Sequence, residues 1–339
     1  MIAFRRTLLA ASVAAASLLS FGVSAQDIQA RTIKFPSASQ KGHPQVMGVE
    51  HFAELVAKKS GGKMVVKSFP GGSLGPDAQV VSAMQGGTVE MNVMNASLLA
   101  GNIKEMAVFD YPFLFANAQE ADAVADGAVG RKLLDKLQER GLVGLAYWDL
   151  GFRQMHTAKK PIRNADELKG MKMRVIPTSQ YVDFMNAIGA NATPMPYTET
   201  YSALEQGAID GMTNPLLNIV SEKFYEVSKH LTLSNHMYTP QAVIVSKKFW
   251  DKLSATEQKI LQDAASETAL YQRKVAREEA TKALAELKKQ GMQVHELTAQ
   301  DIAKLRERAK PATDKLTQQV GEPLVKEVFA AVEKVRSGK

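Results

Sequence analysis

Two side chains in the middle of the chain are suited to binding an anion. Arg174 lies in the short apolar run Lys172–Val175, which Pro177 ends. A strand that ends just after an arginine presents it at the carboxyl edge, where open α/β sheets bind ligands. Asn214 precedes Pro215, which keeps Asn214 extended and its amide free to bind. An isolated arginine is more often a solvated ion-pair residue, but its fork also suits a carboxylate, and the strand end favours that role.

Polar residues also follow the three strands predicted earlier in the chain. Gln40 lies in the loop after the first strand, Asp77 after the second and Asn95 after the third. Each position offers a polar group or a helix amino end to a ligand. Asp77 follows Pro76 at a predicted helix start, where capping the helix is the more ordinary role.

The order of these elements predicts an α/β protein. Strands predicted at 32–35, 63–69 and 89–95 alternate with two helices. This β-α-β-α-β order predicts a largely parallel sheet with helices on both faces. We expect the chain to cross into a second domain at 149–151 and to return near 241–246. Two crossings would make the cleft between the lobes a hinge that can close on a ligand.

A long helix is predicted towards the carboxyl end. Ser254 and Glu257 form a capping box, and the helical pattern continues to Gln290, where Gly291 ends it. Such a helix would span about 55 Å and could brace both lobes. We predict a first lobe from 26–150 and 240–275, and a second from 151–239 with 276–339.

The first 25 residues have the pattern of a signal peptide. Arg5 and Arg6 precede an apolar run from Leu8 to Val23, and small residues lead to Ala25. A membrane anchor is the alternative, but the run is rich in alanine and shorter than the roughly 20 apolar residues of a span. We therefore expect cleavage after Ala25 and a periplasmic protein.

Composition excludes several classes of function. The 339 residues include no cysteine, which excludes thiol catalysis and cysteine-bound zinc or iron–sulfur clusters. The net charge of +7 comes from basic residues that alternate with acidic ones along predicted helices, which is typical of solvated helix faces and argues against nucleic-acid binding. The six histidines are scattered, and no phosphate loop, dinucleotide fingerprint or metalloprotease motif is present, so we expect no cofactor and no metal.

Three segments resemble the substrate-binding proteins of TRAP transporters, the DctP-like family. They are LKGMKMRV at 168–175, GANATPMPYTETYSALEQGAIDG at 189–211, and the closing Asn-Pro at 214–215. The resemblance covers nearly the whole mature chain. It implies a two-lobed, class II-like periplasmic-binding-protein fold with a hinge and a long bracing helix. It also implies a monomer that is not an enzyme and that delivers a small organic acid to the small and large TRAP membrane subunits.

The resemblance also assigns site residues. Arg174 matches the arginine with which the family binds a carboxylate, and Arg153 in GFRQ matches a second arginine. Asn214 matches the asparagine of the family's closing motif. Tyr197 occupies the position of an aromatic residue that packs on the ligand in relatives. Tyr181 could also line the cleft, with core packing as the alternative role.

Trp148 and Phe152 are further candidates to line the cleft, again with core packing as the alternative.

Departures from the family pattern bear on the ligand. Met212 and Thr213 replace a glutamine and a glutamate that are frequent in the family, and Leu98 lies where members that bind sialic acid carry an additional arginine. Sialic acid is therefore disfavoured, and a monocarboxylate with some apolar surface is favoured. A sugar acid, a C4-dicarboxylate, a branched hydroxy acid and an aromatic acid all stay open.

Two other functions compete with transport. A secreted enzyme acting on a hydroxy or sugar acid would need an acid–base pair in the cleft, for which Asp183, Glu199 and Asp210 are the candidates. Capping and turn roles explain Glu199 and Asp210 equally well. A sensory subunit that binds the same ligand but contacts a receptor is the third possibility.

Overall fold

The computed structural model of the protein describes residues 28–338, so the predicted signal peptide lies outside the described residues. The strands are β1 (Arg31–Pro36), β2 (Met64–Phe69), β3 (Met91–Asn95), β4 (Leu142–Thr157), β5 (Lys172–Val175), β6 (Asn191–Pro194), β7 (Gly211–Pro215), β8 (His230–Leu233), β9 (Tyr238–Ser246) and β10 (Gln293–Glu296). The helices are α1 (Pro44–Lys59), α2 (Asp77–Gly86), α3 (Ala118–Ala125), α4 (Ala128–Lys136), α5 (Ser179–Ala187), α6 (Thr200–Glu205), α7 (Leu216–Ser221), α8 (Lys247–Trp250), α9 (Ala255–Lys289), α10 (Ala299–Val320) and α11 (Glu322–Arg336). No helix within 28–338 is long and apolar enough to cross a membrane.

The first lobe is built on β1, β2, β3 and β9. Strands β1 and β2 are parallel, and a parallel bridge between Ser37 and Val93 connects β1 to β3. Strand β9 runs antiparallel to β3 and to the first part of β4. The prediction of a largely parallel sheet was therefore wrong for this edge, because the chain enters β9 on its way back from the second lobe and runs against β3.

The second lobe is built on a sheet with the order β10-β8-β4-β7-β5-β6. Strand β5 is parallel to both β6 and β7, and β8 is parallel to β10. The second part of β4 runs antiparallel to β7 and β8. This arrangement brings the carboxyl end of β5, which carries Arg174, beside the strand that carries Asn214.

One continuous strand connects the two lobes. The chain was predicted to cross at 149–151, and β4 runs through this segment and pairs with β9 before it and with β7 and β8 after it. Its register shifts between Asp149 and Gly151. Gly151 has a φ of 105°, a conformation that glycine adopts without steric cost, so the strand bends here without ending.

Helix α9 spans both lobes, as predicted. Its capping box forms between Ser254 and Glu257, and its 35 residues extend over about 52 Å. Leu261 packs in the core of the first lobe, whereas Ala283 packs against Leu217 of α7 in the second. A rigid element that contacts both lobes restricts how far they can move apart.

The predicted residue ranges of the two lobes stay a prediction. Helix α11 falls within 276–339, the range predicted for the second lobe and the C-terminal helices. Leu324, Val328 and Val332 share a core with Val124 of α3 and Leu133 of α4, so α11 packs on the first lobe. Nothing local in the sequence of a terminal amphipathic helix indicates which distant surface its apolar face covers.

Gln272 supplies a prediction about stability at the crossing. This buried side chain donates from Nε2 to the carbonyl oxygen of Asp149 and accepts from the Asp149 amide, both at 2.8 Å. Gln272→Ala leaves both backbone groups without these partners, so we expect a loss of about 2–4 kcal/mol in the free energy of unfolding, measured by urea denaturation. Gln290→Ala, at the exposed end of the same helix, is the control and should change stability little. Equal effects of the two substitutions would contradict this role for Gln272.

Candidate ligand-binding site

A cavity lies between the two lobes, where the carboxyl ends of several strands meet. Of the eight predicted site residues, six line it, and they are Asp77, Asn95, Arg153, Arg174, Tyr197 and Asn214. The sequence prediction missed other residues of the cavity wall, including Ser39, Gln45, Leu150, Asn218 and Gln241. Leu98 also lines the cavity, whereas Met212 is buried in the core of the second lobe.

Arg174 is held at the wall of the cavity by the backbone that follows β6. Its Nε and Nη2 atoms donate to the carbonyl oxygen of Met195 at 3.0 and 2.8 Å. The guanidinium carbon lies 5.8 Å from the centre of the Tyr197 ring. The side chain is only 3% exposed, so the cavity is its main contact with solvent.

Arg153 is held by the neighbouring strand β7. Its Nε donates to Thr213 Oγ1 at 2.9 Å, and Nη2 donates to the Thr213 carbonyl oxygen. Its guanidinium carbon lies 5.5 Å from the centre of the Tyr181 ring. Tyr181 was predicted to line the cleft, but it lies behind Arg153, outside the cavity wall, because α5 buries its ring in the second-lobe core.

The two guanidinium groups are buried, and among the described residues neither is paired directly with a carboxylate. Within 28–338, neither Arg153 nor Arg174 forms an ion pair with a carboxylate. Burial, and then the charge of Arg153, lower the pKa of Arg174 to about 9, and burial also lowers the pKa of Arg153. A buried charge without a partner is costly, so this part of the cavity is organised for an anion.

Asp77 is the carboxyl group of the cavity wall. The expected capping role was wrong, because Pro76 is the N-cap residue of α2 and no side chain caps this helix. Burial raises the pKa of Asp77 to about 6, although the nearby Asn92 side chain and the charge of Arg174 act in the opposite direction. The side chain of Asp77 therefore lines the cavity and makes no capping hydrogen bond to the helix amides.

Hydrogen-bond acceptors without protein partners face the same cavity. Gln241 Oε1 and Asn218 Oδ1 are buried and have no hydrogen-bond partner among the described residues. Asn218 donates from Nδ2 to Tyr197 Oη at 3.1 Å, which fixes the orientation of its amide. Gln241 of β9 pairs with Asn95 of β3 across the first-lobe sheet. Buried polar atoms normally have partners, so these two acceptors indicate a ligand with hydrogen-bond donors.

Three other residues predicted near the cleft lie elsewhere. Gln40 is outside the cavity wall. Its backbone N–H donates to Glu222 Oε1 at 3.1 Å, and this hydrogen bond connects the two lobes beside the cavity. Trp148 packs on Phe35 in the first-lobe core, and Phe152 packs on Tyr238. The alternative role of core packing was therefore the correct one for both aromatic residues.

The carboxylates considered for an acid–base pair do not line the cavity. Asp183 forms an ion pair with Lys315 at 2.7 Å, and Asp210 accepts from the Lys172 amide at 2.8 Å. Glu199 lies at the end of a short 3₁₀ turn. The described part of the chain also contains no group of three or more histidine or acidic side chains that could hold a metal ion.

Comparison with known proteins identifies the family. The model of the bacterial extracellular solute-binding proteins, family 7, which is the DctP family, matches residues 35–319. The chain belongs to this family. It is 36% identical over 331 residues to the C4-dicarboxylate-binding periplasmic protein DctP of Rhodobacter capsulatus, which covers 96% of this chain and 98% of that protein.

Solved structures of family 7 proteins confirm the two-lobed fold. One is a TRAP periplasmic solute-binding protein from Ochrobactrum anthropi with its C-terminus bound in the ligand-binding pocket. It is 50% identical, with a TM-score of 0.82 and coverage of 92% of this chain and 98% of that one. Another is the sugar acid binding protein DctPAm from Advenella mimigardefordensis in complex with galactonate. It is 41% identical, with a TM-score of 0.89 and coverage of 91% and 99%. Because family 7 consists of binding proteins, the protein is not an enzyme.

Asp110, which lies behind Arg153, supplies a prediction about pH. This carboxyl group is 1% exposed, and burial raises its pKa to about 7. Between about pH 4 and pH 7 the unfolded chain ionises this group while the folded protein keeps it protonated, so its contribution to stability decreases as pH rises. Asp110→Asn cannot titrate, so its free energy of unfolding should rise relative to the natural protein by about 2–4 kcal/mol across this range. Urea denaturation at intervals of half a pH unit measures the difference, and parallel curves would contradict the prediction.

Proposed function

We propose that the protein captures a small organic acid outside the cytoplasm through a pair formed by Arg174 and the ligand carboxylate. The observation that carries this proposal is the presence of two buried guanidinium groups without carboxylate partners at one cavity. A carboxylate fits the planar donor fork of an arginine and neutralises its charge. Arg153 and Asn214 assist from the adjacent strands β4 and β7, which pair with each other. Tyr197 packs on the ligand.

The two walls of the cavity differ in chemistry, which favours a hydroxylated monocarboxylate. The second-lobe wall carries Arg153, Arg174 and Asn214 with the unpartnered acceptor of Asn218, whereas the described residues of the first-lobe wall include no cation and present Asp77 and the unpartnered acceptor of Gln241. A sugar acid presents its carboxylate to the first group and its hydroxyl donors to the second. A C4-dicarboxylate would place its second carboxylate against acceptors. The relative that binds galactonate supports a sugar acid, although the Rhodobacter relative is named for C4-dicarboxylates.

We also propose a location and partners for the protein, which its family supports. The chain is exported by the signal peptide at 1–25, acts as a monomer in the periplasm, and delivers its ligand to the small and large membrane subunits of a TRAP transporter. Family 7 proteins are extracellular solute-binding proteins, which supports this proposal. Gene neighbours that encode the membrane subunits would separate transport from a sensory role.

Thermal unfolding with a panel of acids tests the ligand class. A ligand present at 100 times its Kd stabilises the folded protein by about 2.7 kcal/mol, so a bound acid raises Tm. We expect galactonate and other sugar acids to raise Tm more than succinate at equal concentration. A larger shift with succinate would contradict the assignment of the acceptor wall. The screen is repeated after denaturation and refolding, which removes any acid that co-purified in the cavity.

Arg174→Ala tests the carboxylate pair. We expect the substitution to cost about 2–5 kcal/mol of binding free energy, because it removes the buried charge partner of the ligand. Isothermal titration calorimetry with the acid that gives the largest Tm shift measures the affinity. Arg131→Ala is the control, since Arg131 forms an exposed ion pair with Asp135 on α4. Unchanged affinity in the Arg174 variant would exclude this assignment.

A further inference from the structure

Asp110 is a buried carboxyl group that lies between the lobes, behind the cavity. It belongs to a 3₁₀ segment, Lys104–Asp110, whose neighbours pack in the first-lobe core. Its Oδ2 accepts from Nε2 of Gln180, on α5 of the second lobe, at 2.8 Å. It does not line the cavity, and within residues 28–338 it forms no ion pair.

The groups that face Asp110 come from three elements. Gln180 and the hydroxyl of Tyr181 approach from α5, the hydroxyl of Ser97 approaches from the segment after β3, and the charge of Arg153 lies on β4. Arg153 is the cation among these groups. It favours the ionised form of Asp110, and burial of the carboxyl group favours the protonated form.

We propose that Asp110 takes up a proton from solvent when an organic acid binds to Arg153 and Arg174. The inference rests on the proposed function, because it requires the ligand carboxylate to pair with these arginines. A bound carboxylate neutralises the positive charge that favours ionised Asp110, and it adds a second negative charge to the same buried region. The neutral carboxyl group then becomes the favoured form.

The proton is accommodated without a change in packing. A protonated carboxyl group keeps one oxygen as the acceptor of the Gln180 amide, and its new O–H group can donate to the nearby hydroxyls of Tyr181 and Ser97, which have no hydrogen-bond partner among the described residues. Asp110 is therefore a positioning residue, since it acts on the ligand through Arg153 without contact. Because binding takes up a proton, the affinity for the ligand decreases as pH rises.

Calorimetry in buffers of different ionisation enthalpy measures the proton uptake. Galactonate and succinate are titrated into the mature protein at pH 7.5 in imidazole, HEPES and Tris, and the slope of observed enthalpy against buffer ionisation enthalpy gives the number of protons bound. We expect an uptake of about 0.4–0.8 proton per ligand, and an affinity that falls by up to about tenfold per pH unit between pH 7 and 8.5. Both acids are fully ionised in this range, so they contribute no proton exchange of their own.

Two variants assign the proton to Asp110. Asp110→Asn should bind with no proton uptake and with an affinity that depends little on pH. Glu222→Gln is the matched control, because Glu222 is a partly buried carboxyl group beside the cavity, with its pKa raised to about 7 by burial. This variant should keep the proton uptake. If Asp110→Asn does not fold, Gln180→Leu removes the amide donor to the ionised form and should lower the uptake at pH 7.5, since Asp110 is then protonated before binding.

The outcomes separate the inference from the function on which it rests. Binding of either acid without proton uptake by the natural protein overturns the inference and leaves the proposed function intact. Uptake that disappears in Glu222→Gln but persists in Asp110→Asn assigns the proton elsewhere and also overturns it. No binding of either acid contradicts the proposed function, and the inference is then overturned with it.

Discussion

Two buried positive charges that form no direct ion pair with a carboxylate among the described residues determine how this site is built. Each buried ion costs several kcal/mol of hydration, and nearby carboxylates would offset that cost at the expense of the affinity for an anion. The protein instead holds the guanidinium groups with neutral groups, through the carbonyl oxygens of Met195 and Thr213 and the faces of Tyr197 and Tyr181. These contacts fix both side chains and leave their charge available to a ligand.

In the region where the lobes join, charged side chains are paired with each other. Arg277 of α9 donates to Asp149 on β4 and to Asp122 on α3, each at 2.8 Å, and Asp149 is 3% exposed. Here buried charge is paired, so the contacts contribute to stability instead of binding. The same helix reaches the second lobe through Ala283 and Leu217. The lobes are therefore held rigidly where they join, whereas the charge in the cavity stays free to bind an anion that contacts both lobes.

Local sequence signals predicted the parts of the site that depend on local structure. The strand exits marked by Pro177 and Pro215 located Arg174 and Asn214, and the capping box at Ser254 located α9. The antiparallel course of β9 and the packing of α11 could not be predicted, because both depend on contacts between distant segments. Gln241 and Asp110 were missed for the same reason. Each is an ordinary polar residue in an apolar stretch, and only the assembled lobes place it near the arginines.

The polar groups of the cavity are divided between the two lobes, and this division affects how a ligand favours closure of the lobes. The cations and Asn218 come from the second lobe, while Asp77, Asn95 and Gln241 come from the first, so a sugar acid that uses all of these groups contacts both walls. A ligand that carries both kinds of group gains its full set of hydrogen bonds only when the lobes meet, and this difference in binding free energy favours the closed form. A simple inorganic anion would satisfy the arginines and leave the acceptor of Gln241 unpartnered. Under the proposed function, the split site therefore makes closure depend on the whole ligand, and a small inorganic anion favours closure less.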